Sequence, residues 1–218
     1  MVSSLLYKTA PPPTGSKEPY PTLILLHGRG SHEDDLLGLV PYLDPRLFAV
    51  APRAPFDFPY GGFTWYDLRE TGSPDQTMFS DSYSRLVGFL DDVRAKYPID
   101  PARLFLFGFS MGSVMSLAVA LTRPADIAGV IAHSGYIPEA SELEFRWRDL
   151  GSTSFFIAHG TEDQVIPIRF GRRARELLAA TPAPLTYREY PAAHAVTDES
   201  LADISHWLTG LIDGGTQG

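Results

Sequence analysis

RLFLFGFSMGSVMSLAVAL, residues 103–121, runs three patterns together. Residues 103–107 are a short apolar stretch of the kind that forms a strand buried on both faces. Gly108-Phe109-Ser110-Met111-Gly112 fits G-x-S-x-G, a tight strand-to-helix turn with the serine at its apex. Residues 111–121 then carry a helical pattern. The glycines have a steric reason, because positions two before and two after the serine approach so closely that side chains there would collide. The pentapeptide alone is common. Flanked by a strand pattern and a helix pattern, it marks Ser110 as a candidate nucleophile.

Outward from this unit the same alternation recurs. Leu23-Ile24-Leu25-Leu26 is a continuous apolar run that stops at His27-Gly28-Arg29-Gly30, as a central strand does, and further strand-like runs lie at residues 47–51, 127–132, 155–158 and 185–190. Helical periodicity appears at residues 34–43, 81–97, 170–178 and 198–211, the last with Asp198 as an acidic cap. Strands alternating with helices predict an α/β fold with a mostly parallel central sheet and helices on both faces. At 218 residues the chain is expected to form one domain over 1–218, with no separate lid domain. An N-terminal edge strand and Pro-rich loop are expected within residues 1–19, and a frayed tail over 213–218. Residues 52–62, rich in Pro, Phe and Gly, read as a long loop of the kind that borders a site.

Composition removes several function classes. The 44% apolar and 20% charged fractions are ordinary for a soluble globular protein. A net charge of −8 opposes binding to nucleic acid or to an anionic membrane surface, both of which rest on Lys and Arg meeting phosphates. With no Cys there is no disulfide, no thiolate nucleophile and no cysteine-ligated metal. The apolar run between Val2 and Tyr7 is too short for a signal-peptide core, and no stretch approaches the roughly 18 apolar residues of a membrane span. A cytoplasmic protein without stable membrane insertion is the expectation.

A serine hydroxyl needs a base within hydrogen-bond reach and a carboxylate to orient that base. In strand-turn-helix sites of this kind the chain order is Ser, acid, His. Of the histidines after Ser110, His133 and His159 sit at strand ends, and His159 precedes the acid candidate. His206 lies inside the last helix. His194 follows the strand ending near Tyr190 and precedes the helix from Asp198, so its loop can carry the imidazole over the sheet edge; a plain surface histidine is the competing reading. The acid is expected in His159-Gly160-Thr161-Glu162-Asp163, which leaves a buried strand at its C-terminal end. Asp163 is preferred, although spacing alone does not separate it from Glu162. Two backbone N–H groups should hold the developing oxyanion, one from Met111 and one from Arg29 in the Gly-flanked loop after the first central strand. His27 with His32 could be read as metal ligands, but no matching carboxylate and histidine set accompanies them, so loop support is the preferred role and no metal or cofactor is expected.

Taken together, Leu26-His27-Gly28-Arg29-Gly30, Glu33-Asp34-Asp35-Leu36, Trp65-Tyr66-Asp67, Gly108-Phe109-Ser110-Met111-Gly112, His133-Ser134-Gly135-Tyr136-Ile137-Pro138, His159-Gly160-Thr161-Glu162-Asp163 with Val165 and Pro167, and His194 resemble the phospholipase/carboxylesterase family of α/β-hydrolases, which includes acyl-protein thioesterases. The resemblance runs from about residue 20 to residue 208. It implies an α/β-hydrolase fold and favours Asp163 over Glu162, since the family's acid ends an H-G-x-x-D stretch. The chain departs from the family where Met111 replaces the usual Gln after the nucleophile and Ser113 replaces a second Gly. The function expected is a serine carboxylesterase acting through Ser110, His194 and Asp163, as a monomer or homodimer, with an open, lidless pocket favouring small to medium acyl esters. Phe63, Trp65, Tyr136 and Val165 are expected to border the substrate pocket, with Met111 beside them; aromatic packing of a long loop is the other reading of Trp65. A lysophospholipase or acyl-protein thioesterase would use the same chemistry, and a non-catalytic binding protein on the same fold is a more distant alternative.

Overall fold

The computed structural model describes residues 5–214. Seven strands form one sheet: β1 (Tyr7–Ala10), β2 (Tyr20–Leu26), β3 (Phe48–Pro52), β4 (Ile99–Phe109), β5 (Gly129–His133), β6 (Ser154–Gly160) and β7 (Leu185–Tyr190). Their order across the sheet is β1-β3-β2-β4-β5-β6-β7. All neighbours are parallel except β1, which pairs antiparallel with β3 at the edge through Tyr7↔Pro52 to Ala10↔Ala49. The strand-like runs read from the sequence are all strands here, and the α/β-hydrolase fold class holds.

Alternation along each strand sorts the core into two layers. In β2, Ile24 and Leu26 join one cluster while Leu23 and Leu25 join the other; in β4, Leu104 and Leu106 part in the same way from Phe105 and Phe107. The first layer is covered by α1 (Gln76–Lys96), α2 (Met111–Thr122) and α3 (Arg169–Ala179), which contribute Phe79, Leu86, Val114, Leu117, Ala174 and Leu178. The second is covered by α4 (Asp198–Ile212), through Leu201, Ile204 and Leu208, and by the segment around Leu36. Residues Met111 to Leu121 of α2 are all buried, so this helix lies inside the molecule and is covered on every side.

Three local expectations are corrected. The periodic segment at residues 34–43 is a short 3₁₀ helix, Leu36–Tyr42, because Pro41 removes a backbone donor and Gly38 weakens helical order. Helix α1 begins at Gln76, five residues before the expected start, since Asp75 accepts the Met78 N–H at 3.0 Å as its cap. Asp198 is the first residue of α4 and not its cap. Thr197 caps it in a reciprocal box with Ser200, at 3.1 Å and 2.9 Å. Within the loop expected at 52–62, Phe56–Asp57 pairs with Phe63–Thr64 as a miniature hairpin.

Candidate active site

The turn between β4 and α2 places Ser110 at φ 56° and ψ −119°, a conformation that non-glycine residues rarely adopt. It is held from several sides. The Ser110 N–H donates to the His133 carbonyl at 3.0 Å. A Cβ on Gly108 would overlap the Gly112 carbonyl, and one on Gly112 would overlap the Leu26 carbonyl at the end of β2. Both glycines are therefore required by contact between backbones. Ser113, at the position where the chain leaves the family pattern, straps the turn: its Oγ lies 2.6 Å from the Gly108 carbonyl and 2.7 Å from that of His133. Gly135 lets the next strand's loop close over Ser113 and lie near the Ser110 carbonyl.

Asp163 and His194 meet from two loops that leave β6 and β7. Their approach is set by backbone contacts, since Thr161 N–H donates to Tyr190 at 2.8 Å and Glu162 N–H donates to Ala192 at 3.0 Å. A Cβ on Gly160 would overlap the carbonyls of Ala192 and Ala193, so only glycine lets the second loop cross so low. The Asp163 carboxylate is buried. Oδ1 accepts the N–H groups of Val165 and Ile166 at 2.9 and 2.8 Å, and Oδ2 accepts Nδ1–H of His194 at 2.7 Å. Burial opposes its ionisation, but the donors from His194 and Ile166 outweigh that and hold the carboxyl below its ordinary range. Glu162 is exposed to solvent, as the family resemblance implies for the neighbour of the acid.

The ring of His194 packs on Phe109, the residue before Ser110, with centroids 4.8 Å apart. That contact brings the histidine to the nucleophile turn. No Ser110–His194 hydrogen bond is present among the described residues, where Nδ1 of His194 is engaged by Asp163. The other histidines are placed differently. His133 is buried beside Ser134 and Ser200, and burial holds its pKa down to about 3. His159 is fully buried, and its pKa is lowered chiefly by that burial. His206 lies exposed on α4.

The loop after β2 packs directly on Ser110: a Cβ on Gly28 would sit 3.3 Å from its Cβ. It is pinned to the hairpin strand at Phe63, with Gly30 N–H donating to Phe63 O and Phe63 N–H to Ser31 O, both at 2.8 Å. The N–H of Arg29 meets no acceptor among the described residues, and the N–H of Met111 opens helix α2, where backbone donors lack helical partners. His27 supports this loop with both ring nitrogens. Nε2 accepts the Ala54 N–H at 3.0 Å, which leaves Nδ1–H to donate to the Gly28 carbonyl at 2.7 Å, and neither nitrogen is free for a metal.

A family model described as Phospholipase/Carboxylesterase matches residues 13–212. The chain belongs to this family. Acyl-protein thioesterase 1 of Candida albicans is 29% identical over 213 residues, covering 88% of this chain and 92% of that protein. A probable carboxylesterase SOBER1-like of Arabidopsis thaliana is 28% identical over 171 residues, covering 74% of this chain and 65% of that protein. Among solved structures, the Bacillus cereus carboxylesterase shares the fold with a TM-score of 0.83 at 22% identity, covering 94% and 93% of the two chains. Membership makes the chain a serine hydrolase acting on ester bonds. No helix among the described residues is long and apolar enough to cross a membrane.

For this phospholipase/carboxylesterase family member the expected pocket residues divide. Trp65 is fully buried and donates from Nε1 to the His27 carbonyl at 2.9 Å; it braces the loop, as in the packing reading of this residue, and does not border open space. Phe63 lies under the Arg53 guanidinium, 4.3 Å from its ring centroid, in a hollow with Leu5, Leu6 and Pro55. Tyr136 bonds Tyr66 at 3.2 Å and faces a different hollow of about 310 Å³, shared with Ile137, Phe170, Arg169 and Arg173. Val165 is exposed beside the acid. The Met111 side chain turns inward, its sulfur 3.4 Å from the Thr64 hydroxyl, which donates to the Tyr66 carbonyl at 2.8 Å. Sequence reasoning missed Phe109, Ser113 and Gly160, whose signals are contacts between segments far apart in the chain.

Proposed function

We propose that this hydrolase is a carboxylesterase acting on small to medium acyl esters through Ser110, His194 and Asp163. The observation that carries the reading is the part-buried 2.7 Å bond from His194 Nδ1–H to Asp163, made by a ring that packs against the neighbour of Ser110. With Nδ1 protonated and held, Nε2 is the bare, basic nitrogen. It takes the hydroxyl proton as Ser110 Oγ attacks the carbonyl carbon. The N–H groups of Arg29 and Met111 receive the charge that develops on the carbonyl oxygen. Nε2–H then passes its proton to the leaving alcohol as the C–O bond breaks, leaving an acyl-Ser110 ester. Water repeats the sequence and frees the acid and the serine. Asp163 stays ionised throughout and stabilises the imidazolium.

None of Ser110, Asp163 or His194 lines the hollow beside Tyr136, so acyl length is decided by the substrate series below. The relatives named as acyl-protein thioesterases support a thioester substrate equally well, and lysophospholipids would need the same machinery. A fluorophosphonate probe should label Ser110, and Ser110→Ala should lose several powers of ten in kcat/KM while staying folded. Retained turnover in folded Ser110→Ala overturns the triad. A chain-length series of oxygen esters, thioesters and lysolipids then selects the substrate. Highest kcat/KM on short oxygen esters supports the carboxylesterase reading; a clear preference for long acyl-thioesters replaces it.

A further inference from the structure

His159 is fully buried at the end of β6, yet among the described residues only one of its two ring nitrogens has a partner. Nε2 lies 2.7 Å from the Ile166 carbonyl, an oxygen that can only accept, so the proton sits on Nε2. Nδ1 is then a bare lone pair in the interior, and Gly171 of α3 packs so close to it that a Cβ there would crowd the ring. Burying an unsatisfied acceptor is unfavourable, and a hydrophobic side chain would avoid that cost. What such a side chain could not do is donate to Ile166.

That bond matters because of what else the Ile166 segment holds. The Ile166 N–H donates to Asp163 Oδ1 at 2.8 Å, and its carbonyl is clamped by His159. Nε2 of His159 also lies 3.5 Å from Asp163 Oδ2, the oxygen that receives His194. The turn that orients the acid is thus gripped on its outer side by a second imidazole. We infer that His159 is a positioning residue, whose Nε2–H fixes the rotation of the Asp163 carboxylate and through it the placement of His194. The inference rests on the triad reading above. His159 remains neutral because burial disfavours its charged form, so it donates without competing with His194 for the carboxylate's charge.

Two variants separate this role from plain packing. Gln can bring a donor to the place of Nε2, whereas Leu fills similar space without one. Both are measured on a soluble nitrophenyl ester, with folding checked by circular dichroism and thermal melts. His159→Leu should lower kcat by about ten- to hundredfold with KM nearly constant, the scale expected of a catalytic group displaced by about an ångström. Its acid limb of kcat/KM should move to lower pH by about half a unit, because a poorly held Asp163 stabilises the imidazolium less. His159→Gln should restore most of the rate and the position of the limb. Adding His159→Leu to Asp163→Asn should cost little more than Asp163→Asn alone. Folded His159→Leu with an unchanged rate and pH profile overturns the inference, as does equal impairment of both variants with no shift of the limb. If Asp163→Asn itself were fully active, the triad reading would fall instead, a result distinguishable from either.

Discussion

At Ser110 the chain accepts an unfavourable backbone conformation, φ 56° and ψ −119°, in order to raise one hydroxyl above the sheet. Non-glycine residues in such regions carry roughly 1–3 kcal/mol of strain, and it is maintained here by contacts at Gly108, Gly112, Ser113 and Gly28. Ser110→Gly should therefore abolish ester hydrolysis and raise stability by about 1 kcal/mol, after allowing for the greater freedom of unfolded glycine. Urea unfolding measures it; a loss of stability would mean that the turn is not strained. The G-x-S-x-G pattern and the candidates Asp163 and His194 could be picked out from the sequence. The brace at Ser113 was not, because it depends on the His133 carbonyl, twenty residues away along the chain, arriving at 2.7 Å. Glu162 and Asp163 likewise differ only in which side of the turn faces inward, and that is decided by the Ala192 and Tyr190 carbonyls of a neighbouring loop.

The elements of the fold were largely readable, since burial on both faces leaves a continuous apolar run in β2, β4, β5 and β6. Their ends were read less well. A helix starts where a side chain satisfies its free N–H groups, and in α4 that residue is Thr197, one before the acidic pair that drew attention. Thr197→Ala should lower stability by about 1 kcal/mol, whereas Asp198→Asn should change it by less than about half as much. Chemical denaturation of the two variants tests this, and the reverse ranking would restore Asp198 as the cap. The cap also closes the loop that carries His194, so the start of α4 and the position of the base are one structural problem. The segment around Leu36 shows the limit of periodicity: its leucines are spaced for a helix, but Pro41 and Gly38 confine it to a short 3₁₀ helix, Leu36–Tyr42.

At the scale of the molecule, the sheet buries three histidines, His27, His133 and His159, each with its pKa lowered first by burial. For His133 the unfolded value is 6.5 and the folded value about 3. The unfolded chain gains a proton that the folded state refuses, so stability is complete above pH 6.5 and declines as pH falls toward 3. The Glu33 carboxylate, held near 2 first by its bond from Arg53, adds a second loss as pH falls from 4.5 toward 2. Unfolding free energies measured between pH 5 and 8 should therefore fall on the acid side, with His133→Gln weakening the slope; a flat profile would contradict neutral burial of the histidines. Charge at Glu33 and burial at His133 are properties of an assembled interior, invisible in a list of residues. By itself the sequence determined the order of strands and helices and the elbow at Ser110, because these follow from local periodicity and from glycine at fixed offsets. Only the tertiary structure decided that Trp65 braces a loop, that Phe63 and Tyr136 face separate hollows and that His159 grips the acid turn. Those outcomes depend on how loops from different strand ends meet over the sheet edge, where packing between distant segments overrides anything that short-range pattern records.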